Sequence, residues 1–75
     1  MPHIIVKAWP GKTEAQKQEL AQRITRDVAE VLNYTDDAVS VAFVEIEPAQ
    51  WAKQVYGPDI KQHWGALYKK PGYSM

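Results

Sequence analysis

The chain has no cysteine, and its charges cancel, with nine lysines and arginines against nine aspartates and glutamates. Without cysteine the fold has no disulfide to stabilise it, and a metal site built on thiolates is excluded. A net charge of zero lacks the basic surface that a nucleic-acid-binding protein needs, so nucleic acid is disfavoured as a partner.

The chain also lacks a long apolar run. No segment approaches the length of a membrane span, and the amino terminus has no basic region followed by an apolar stretch. We therefore expect a soluble, cytoplasmic protein without a membrane partner. At 75 residues the chain predicts a single domain over 1–75. A domain of this size buries little surface, so self-association is a natural source of further stability.

Two short apolar runs and one amphipathic segment predict the first half of the fold. Residues 2–9 and 39–46 are rich in β-branched side chains, as strands are. Thr13 and Gln16 have the spacing of a capping box, which predicts a helix start. After it, apolar residues recur at intervals of three and four, as on the buried face of a helix. These are Leu20, Ile24, Val28, Val31 and Leu32.

Strand, helix and strand in this order predict an α+β fold built on a single βαβ unit. A right-handed crossover leaves its two strands parallel. Two strands make a small sheet with open edges, so we expect a second copy to complete it. For the remainder we expect short helices: a turn over 48–52 begun by Pro48, and a restart at Gly57-Pro58 that continues through Tyr68.

Pro2 is the first candidate for chemistry, because removal of Met1 would make its nitrogen a secondary amine. An α-amino group has a pKa of roughly 7.7–8.0, and desolvation or a nearby cation lowers it. Such an amine is a base at neutral pH. The dipeptide alone carries little weight, since proline often follows the initiator. Lys12, after the first strand, is either an ordinary exposed lysine or a carboxylate-binding cation. Trp51 is either a core aromatic or the apolar wall of a pocket.

Other familiar chemistries lack their residues. His3 and His63 have no second histidine or carboxylate at metal-ligand spacing, so no metal is assigned. There is no glycine-rich phosphate loop, serine nucleophile elbow or cysteine–histidine pair. Phosphoryl and acyl transfer are therefore unsupported.

Met1-Pro2 before a βαβ unit, in a chain of this length, resembles the 4-oxalocrotonate tautomerase family over nearly its whole extent. Met1-Pro2-His3-Ile4, the strand at 39–42, Glu47-Pro48 before Trp51, and above all the ending Lys-Lys-Pro-Gly-Tyr-Ser-Met at 69–75 resemble its dimeric bacterial subgroup, which acts on phenylpyruvate-type enols. The resemblance implies the tautomerase/MIF-like fold with its sheet completed across a homodimer. It also implies a catalytic Pro2, a carboxylate-binding Lys12 and a pocket residue in Trp51.

One position departs from the family pattern. Hexameric members carry an arginine on strand two that polarises the substrate carbonyl. This chain has Ser40 at that position, and its hydroxyl is a weaker, neutral donor. We therefore place Ser40 among the substrate-binding residues and expect slower or differently selective chemistry. The segment from Pro58 onward replaces the hairpin that builds hexamers, which also favours a dimer.

The resemblance thus implies a cofactor-free keto–enol tautomerase that converts small 2-hydroxyalkenoates, such as phenylenolpyruvate, to 2-keto acids. Two alternatives stay open. One is a different activity at the same proline, such as hydration or dehalogenation of an unsaturated acid. The other is a non-catalytic dimer that binds small aromatic carboxylates or a protein partner, with Ser40 marking lost catalysis.

Overall fold

The computed structural model describes residues 1–75, which divide into two compact units, Met1–Glu45 and Ile46–Met75. The first unit contains the βαβ motif and the second contains only short helical segments and the tail. The expectation of one domain over 1–75 stays a prediction.

Two parallel strands form the sheet of the first unit. Strand β1 spans His3–Ala8 and strand β2 spans Ser40–Glu45. They pair in register from His3 opposite Ser40 to Ala8 opposite Glu45. Both lie within two residues of the predicted strands, and β-branched residues supply five of their twelve side chains. The predicted parallel βαβ unit is confirmed.

Helix α1 spans Glu14–Leu32 and connects the strands. Its capping box is formed as predicted: the Gln16 backbone N–H donates to Thr13 Oγ1 at 3.1 Å, and the Thr13 N–H donates to Gln16 Oε1 at 2.9 Å. At the other end Asn33 takes the left-handed conformation, with φ 62°, and its N–H donates to the Ala29 carbonyl. A short 3₁₀ turn, Asp36–Ala38, then leads into β2.

The predicted buried face of α1 is only partly right. Ile24 and Val28 are half-buried, but Val31 is 78 % and Leu32 56 % exposed in the single chain. The short sheet does not extend under the last turn of the helix, so these two side chains have nothing in the chain to cover them. No side chain of α1, β1 or β2 is fully buried. A first unit with so little buried surface is what a self-associating chain would show.

The second unit is helical over most of its length, although in an unexpected form. A 3₁₀ turn, Pro48–Gln50, is followed by a π-helix, Ala52–Ile60, and another 3₁₀ segment, Lys61–Ala66. The buried side chains of the chain lie in this unit and are Ile46, Val55 and Tyr56.

Two expectations for this segment are wrong. Helical structure does not restart at Gly57-Pro58 but runs through both residues, with Pro58 inside the π-helix. It also ends at Ala66, so Leu67 and Tyr68 lie outside it. An interior proline clashes with the carbonyl four residues earlier in an α-helix, and the wider π turn relieves that clash.

The expected fold class, a two-stranded parallel sheet with short carboxyl-terminal helices, is confirmed. None of the helices combines the length and apolar character needed to cross a membrane. Completion of the sheet by a second copy stays a prediction.

Candidate active site

Pro2 lies half-buried immediately before β1. Its carbonyl accepts a hydrogen bond from the Ser40 backbone N–H at 3.2 Å. Proline loses no interior ladder bond at this position, since its missing N–H falls at the strand end. The sheet therefore fixes Pro2 beside the first residue of β2.

The Ser40 side chain is not isolated. Its Oγ lies 2.6 Å from Nδ1 of His3, the residue opposite it in the parallel pair. Sequence alone offers His3 only as a weak metal-ligand candidate, because nothing in it reveals the strand register. The two predicted site residues Pro2 and Ser40 are thus brought together, and the His3 side chain contacts that of Ser40.

Lys12 lies at the other end of the sheet, beyond the last residue of β1. Gly11 shapes the turn before it with φ 119°, a conformation that favours glycine, and the Thr13 cap of α1 follows directly. The six residues of β1 separate Pro2 from the turn before Lys12, and at ~3.3 Å per residue they span about 20 Å. Within a single chain, Lys12 and Pro2 therefore do not converge.

A cavity of about 270 Å³ opens beside Lys12. It is bounded by apolar side chains of the sheet and by the first turns of α1. Its lining residues are Val6, Ala8, Lys12, Gln16, Lys17, Leu20 and Phe43.

The two lysines of this cavity differ in the ion pairs that their ammonium groups form. Lys17 Nζ is engaged by Glu45 at 3.4 Å and Glu14 at 3.6 Å, and it lies 5.4 Å from the Phe43 ring centroid. No ion pair engages Lys12, whose ammonium group is left to an external anion. Lys12 is therefore the better placed of the two to bind a carboxylate.

Trp51 lies in the second unit, directly before the π-helix. Its indole Nε1–H donates to the Tyr73 hydroxyl at 2.9 Å, and the Tyr73 ring lies 5.7 Å from that of Tyr56 at an angle of 42°. The tail thus holds the indole by a polar contact and is itself held by a buried aromatic ring. Tyr73 is a candidate positioning residue that sequence reasoning treats only as part of the ending at 69–75.

No group of three or more His, Cys, Asp or Glu side chains is arranged to hold a metal ion. Pro2 and Ser40 at the head of β1, and the unpaired Lys12 beyond its far end, are therefore the candidates for acid–base chemistry on a small anion. The family model described as "Tautomerase enzyme" matches residues 2–58, and the chain belongs to that family.

Curated relatives carry the same activity in their names. A "Probable tautomerase" of Xylella fastidiosa (strain 9a5c) is 47 % identical over 75 residues, covering 100 % of this chain and 92 % of the relative. "Tautomerase PptA" of Pectobacterium carotovorum subsp. carotovorum (strain PC1) is 44 % identical, with 99 % of each chain covered. Tautomerases are isomerases, so the protein is an enzyme of that class.

Solved structures agree on the fold. The chain is similar to an apo "unFused 4-OT", with a TM-score of 0.63 and 28 % identity, covering 65 % of this chain and 80 % of that one. YwhB, described as a homologue of 4-oxalocrotonate tautomerase, gives a TM-score of 0.60 at 28 % identity, covering 61 % and 75 % of the two chains. The predicted membership of the 4-oxalocrotonate tautomerase family is confirmed.

Proposed function

We propose that the protein is a keto–enol tautomerase of small 2-hydroxyalkenoates such as phenylenolpyruvate, with Pro2 as general base after removal of Met1. The supporting observation is the position of Pro2, half-buried at the head of β1 and fixed beside Ser40 by a backbone hydrogen bond. A base on a rigid element is held in one geometry, as proton transfer requires. The cytoplasmic location stays a prediction.

The reaction needs one base and one path for a proton. The neutral Pro2 amine removes the enol hydroxyl proton, the C–O bond becomes a carbonyl, and a proton is delivered to the neighbouring carbon. General-base catalysis works best when the pKa of the base lies near the ambient pH, and positioned proton transfer contributes about 10²–10⁴-fold. The amine is available only without Met1, because Met1 makes the Pro2 nitrogen a non-basic amide.

The Lys12 ammonium group supplies the positive charge that binds the carboxylate of the substrate. Its ammonium group has no ion pair in the chain, and the cavity beside it has apolar walls that include Phe43. Trp51 contacts the apolar tail of the substrate, and Ser40 donates a hydrogen bond to the substrate oxygen. Because of these roles, we propose that the site prefers substrates related to aromatic 2-keto acids.

Because the length of β1 separates Pro2 from Lys12, we propose that a second copy brings the two residues to one substrate. In a two-fold dimer that aligns two sheets antiparallel, the head of a strand in one copy lies beside the end of the same strand in its partner. Lys12 of one protomer then serves Pro2 of the other. The active form proposed is therefore a homodimer with two shared sites.

Mixing two inactive variants tests both claims. Pro2→Ala and Lys12→Ala proteins are unfolded together, refolded at equal concentration and assayed on phenylenolpyruvate, with mass spectrometry confirming loss of Met1. Each variant alone is expected to lose most activity. In a random mixture half of the dimers pair one copy of each, and one of their two sites is intact, so about one quarter of wild-type activity returns.

The controls separate the two claims. Activity that stays at the level of the separate variants would place Pro2 and Lys12 in one chain and overturn the shared site. Unchanged turnover in Pro2→Ala alone would remove Pro2 from the mechanism. Lys12→Arg is the matched control, because it keeps the cation and should retain activity.

A further inference from the structure

Ser40 has a proposed role at the substrate oxygen, but its hydrogen-bonded partner His3 has none. The two residues face each other across the parallel strands, with His3 Nδ1 and Ser40 Oγ 2.6 Å apart. Side chains alternate along a strand, so the pair shares a sheet face with Ile5 and Ala42, its next neighbours. It is a polar pair at the Pro2 end of a face that continues in apolar residues.

We infer that His3 is a positioning residue that orients the Ser40 hydroxyl toward the substrate oxygen, an assignment that rests on the proposed function. A serine hydroxyl has one proton and rotates freely unless a partner fixes it. If His3 Nδ1–H donates to Ser40 Oγ, the serine proton points away from the ring and is available to the substrate. The opposite arrangement, in which serine donates to histidine, would leave no proton for the substrate.

The His3–Ser40 pair compensates in part for the positive charge of the arginine that hexameric relatives carry at the position of Ser40. A hydroxyl that accepts one hydrogen bond is polarised and becomes a better donor in the next. The carbonyl oxygen of the forming 2-keto acid would therefore meet a stronger donor than an isolated serine. This is a neutral substitute for a cation at the start of strand two, and it requires both residues of the pair.

Three variants test the inference by kinetics on phenylenolpyruvate. His3→Leu removes the donor and should lower kcat by up to about 10-fold, the usual worth of one neutral hydrogen bond, while KM stays within about twofold. His3→Asn, which places an amide donor near the position of Nδ1, should restore most of kcat. The double variant with Ser40→Ala should be no slower than Ser40→Ala alone, because the two residues act as one unit.

The matched control is His63→Leu, which removes the other histidine of the chain and should leave kcat unchanged. If His3→Leu keeps wild-type kcat while Pro2→Ala loses activity, the positioning role is overturned and the proposed function stands. If Pro2→Ala is also unaffected, the proposed function itself fails. A loss in His3→Leu that adds fully to that of Ser40→Ala also overturns the pair.

A spectroscopic measurement tests the hydrogen bond without turnover. At about pH 8, where imidazole is usually neutral, ¹⁵N NMR of the wild-type protein distinguishes a protonated Nδ1 from a protonated Nε2. We expect His3 to carry its proton on Nδ1 in the wild-type protein and to lose this preference for Nδ1 in Ser40→Ala. A wild-type His3 protonated on Nε2 would overturn it.

Discussion

Replacement of Thr13 by alanine should destabilise the protein and weaken substrate binding together. Thr13 Oγ1 accepts the backbone N–H of Gln16 at 3.1 Å, and Gln16 Oε1 accepts the Thr13 N–H at 2.9 Å. Thr13→Ala leaves the Gln16 N–H without its acceptor, and loss of such a cap costs about 1 kcal/mol. For a domain of this size that loss lowers Tm by about 4–8 °C.

The functional part of this prediction follows from chain position. Lys12 directly precedes the cap, so fraying of the first turn of α1 loosens the backbone that carries the carboxylate-binding ammonium group. We expect Thr13→Ala to raise KM for phenylenolpyruvate while kcat changes little, since the substitution leaves the Pro2 base itself unchanged.

The assay is thermal and urea unfolding followed by far-ultraviolet circular dichroism, with initial rates measured on the same samples. Protein concentration must be held constant, because self-association makes Tm depend on it. Thr13→Ser keeps the acceptor oxygen and should unfold close to wild type. A Thr13→Ala protein as stable as wild type, or a Thr13→Ser protein as unstable as Thr13→Ala, would refute the capping argument.

Two further predictions concern single contacts. Asn33 closes α1 at φ 62°, so Asn33→Ala should lower the free energy of unfolding by about 1 kcal/mol, whereas Asn33→Gly should match wild type in urea melts; equal loss in both would contradict this. Tyr73→Phe keeps the ring beside Tyr56 but removes the acceptor of the Trp51 indole. It should raise KM for phenylenolpyruvate by up to about fivefold with kcat retained, and an unchanged KM would exclude Tyr73 from positioning Trp51.

The βαβ half of the fold could be predicted from sequence because local signals agreed with each other. The Thr13–Gln16 spacing marks the start of α1, the apolar spacing marks its extent, and β-branched runs mark both strands. Burial was less predictable. Val31 and Leu32 continue the apolar spacing, yet they are exposed because the sheet stops short of them.

The second unit illustrates why local rules fail. Gly57 and Pro58 are strong breakers in an α-helix, but the chain continues through them by widening its turns to the π form. The buried Val55 and Tyr56 lie within this π-helix, and the spacing rules for α-helices do not describe its wider turns.

The candidate site, like the fold, could be predicted from the sequence only in part. The sequence and the family resemblance single out Pro2, Lys12 and Ser40, and the structure places Pro2 beside Ser40. The contact of His3 with Ser40 depends on strand register, which the sequence does not reveal. Lys12 lies about a strand length from Pro2. This separation could have been derived from the sequence, because the predicted first strand lies between the two residues.

The central claim, that the free amine of Pro2 is the base, is tested most directly by comparing the chain with and without Met1. Both forms can be made by chemical synthesis, since the chain is 75 residues long, and ketonisation of phenylenolpyruvate is followed in each. With Met1 attached the Pro2 nitrogen is an amide, so we predict a loss of about 10²–10⁴-fold in kcat while circular dichroism shows the same fold. Equal activity in the two forms would contradict the claim.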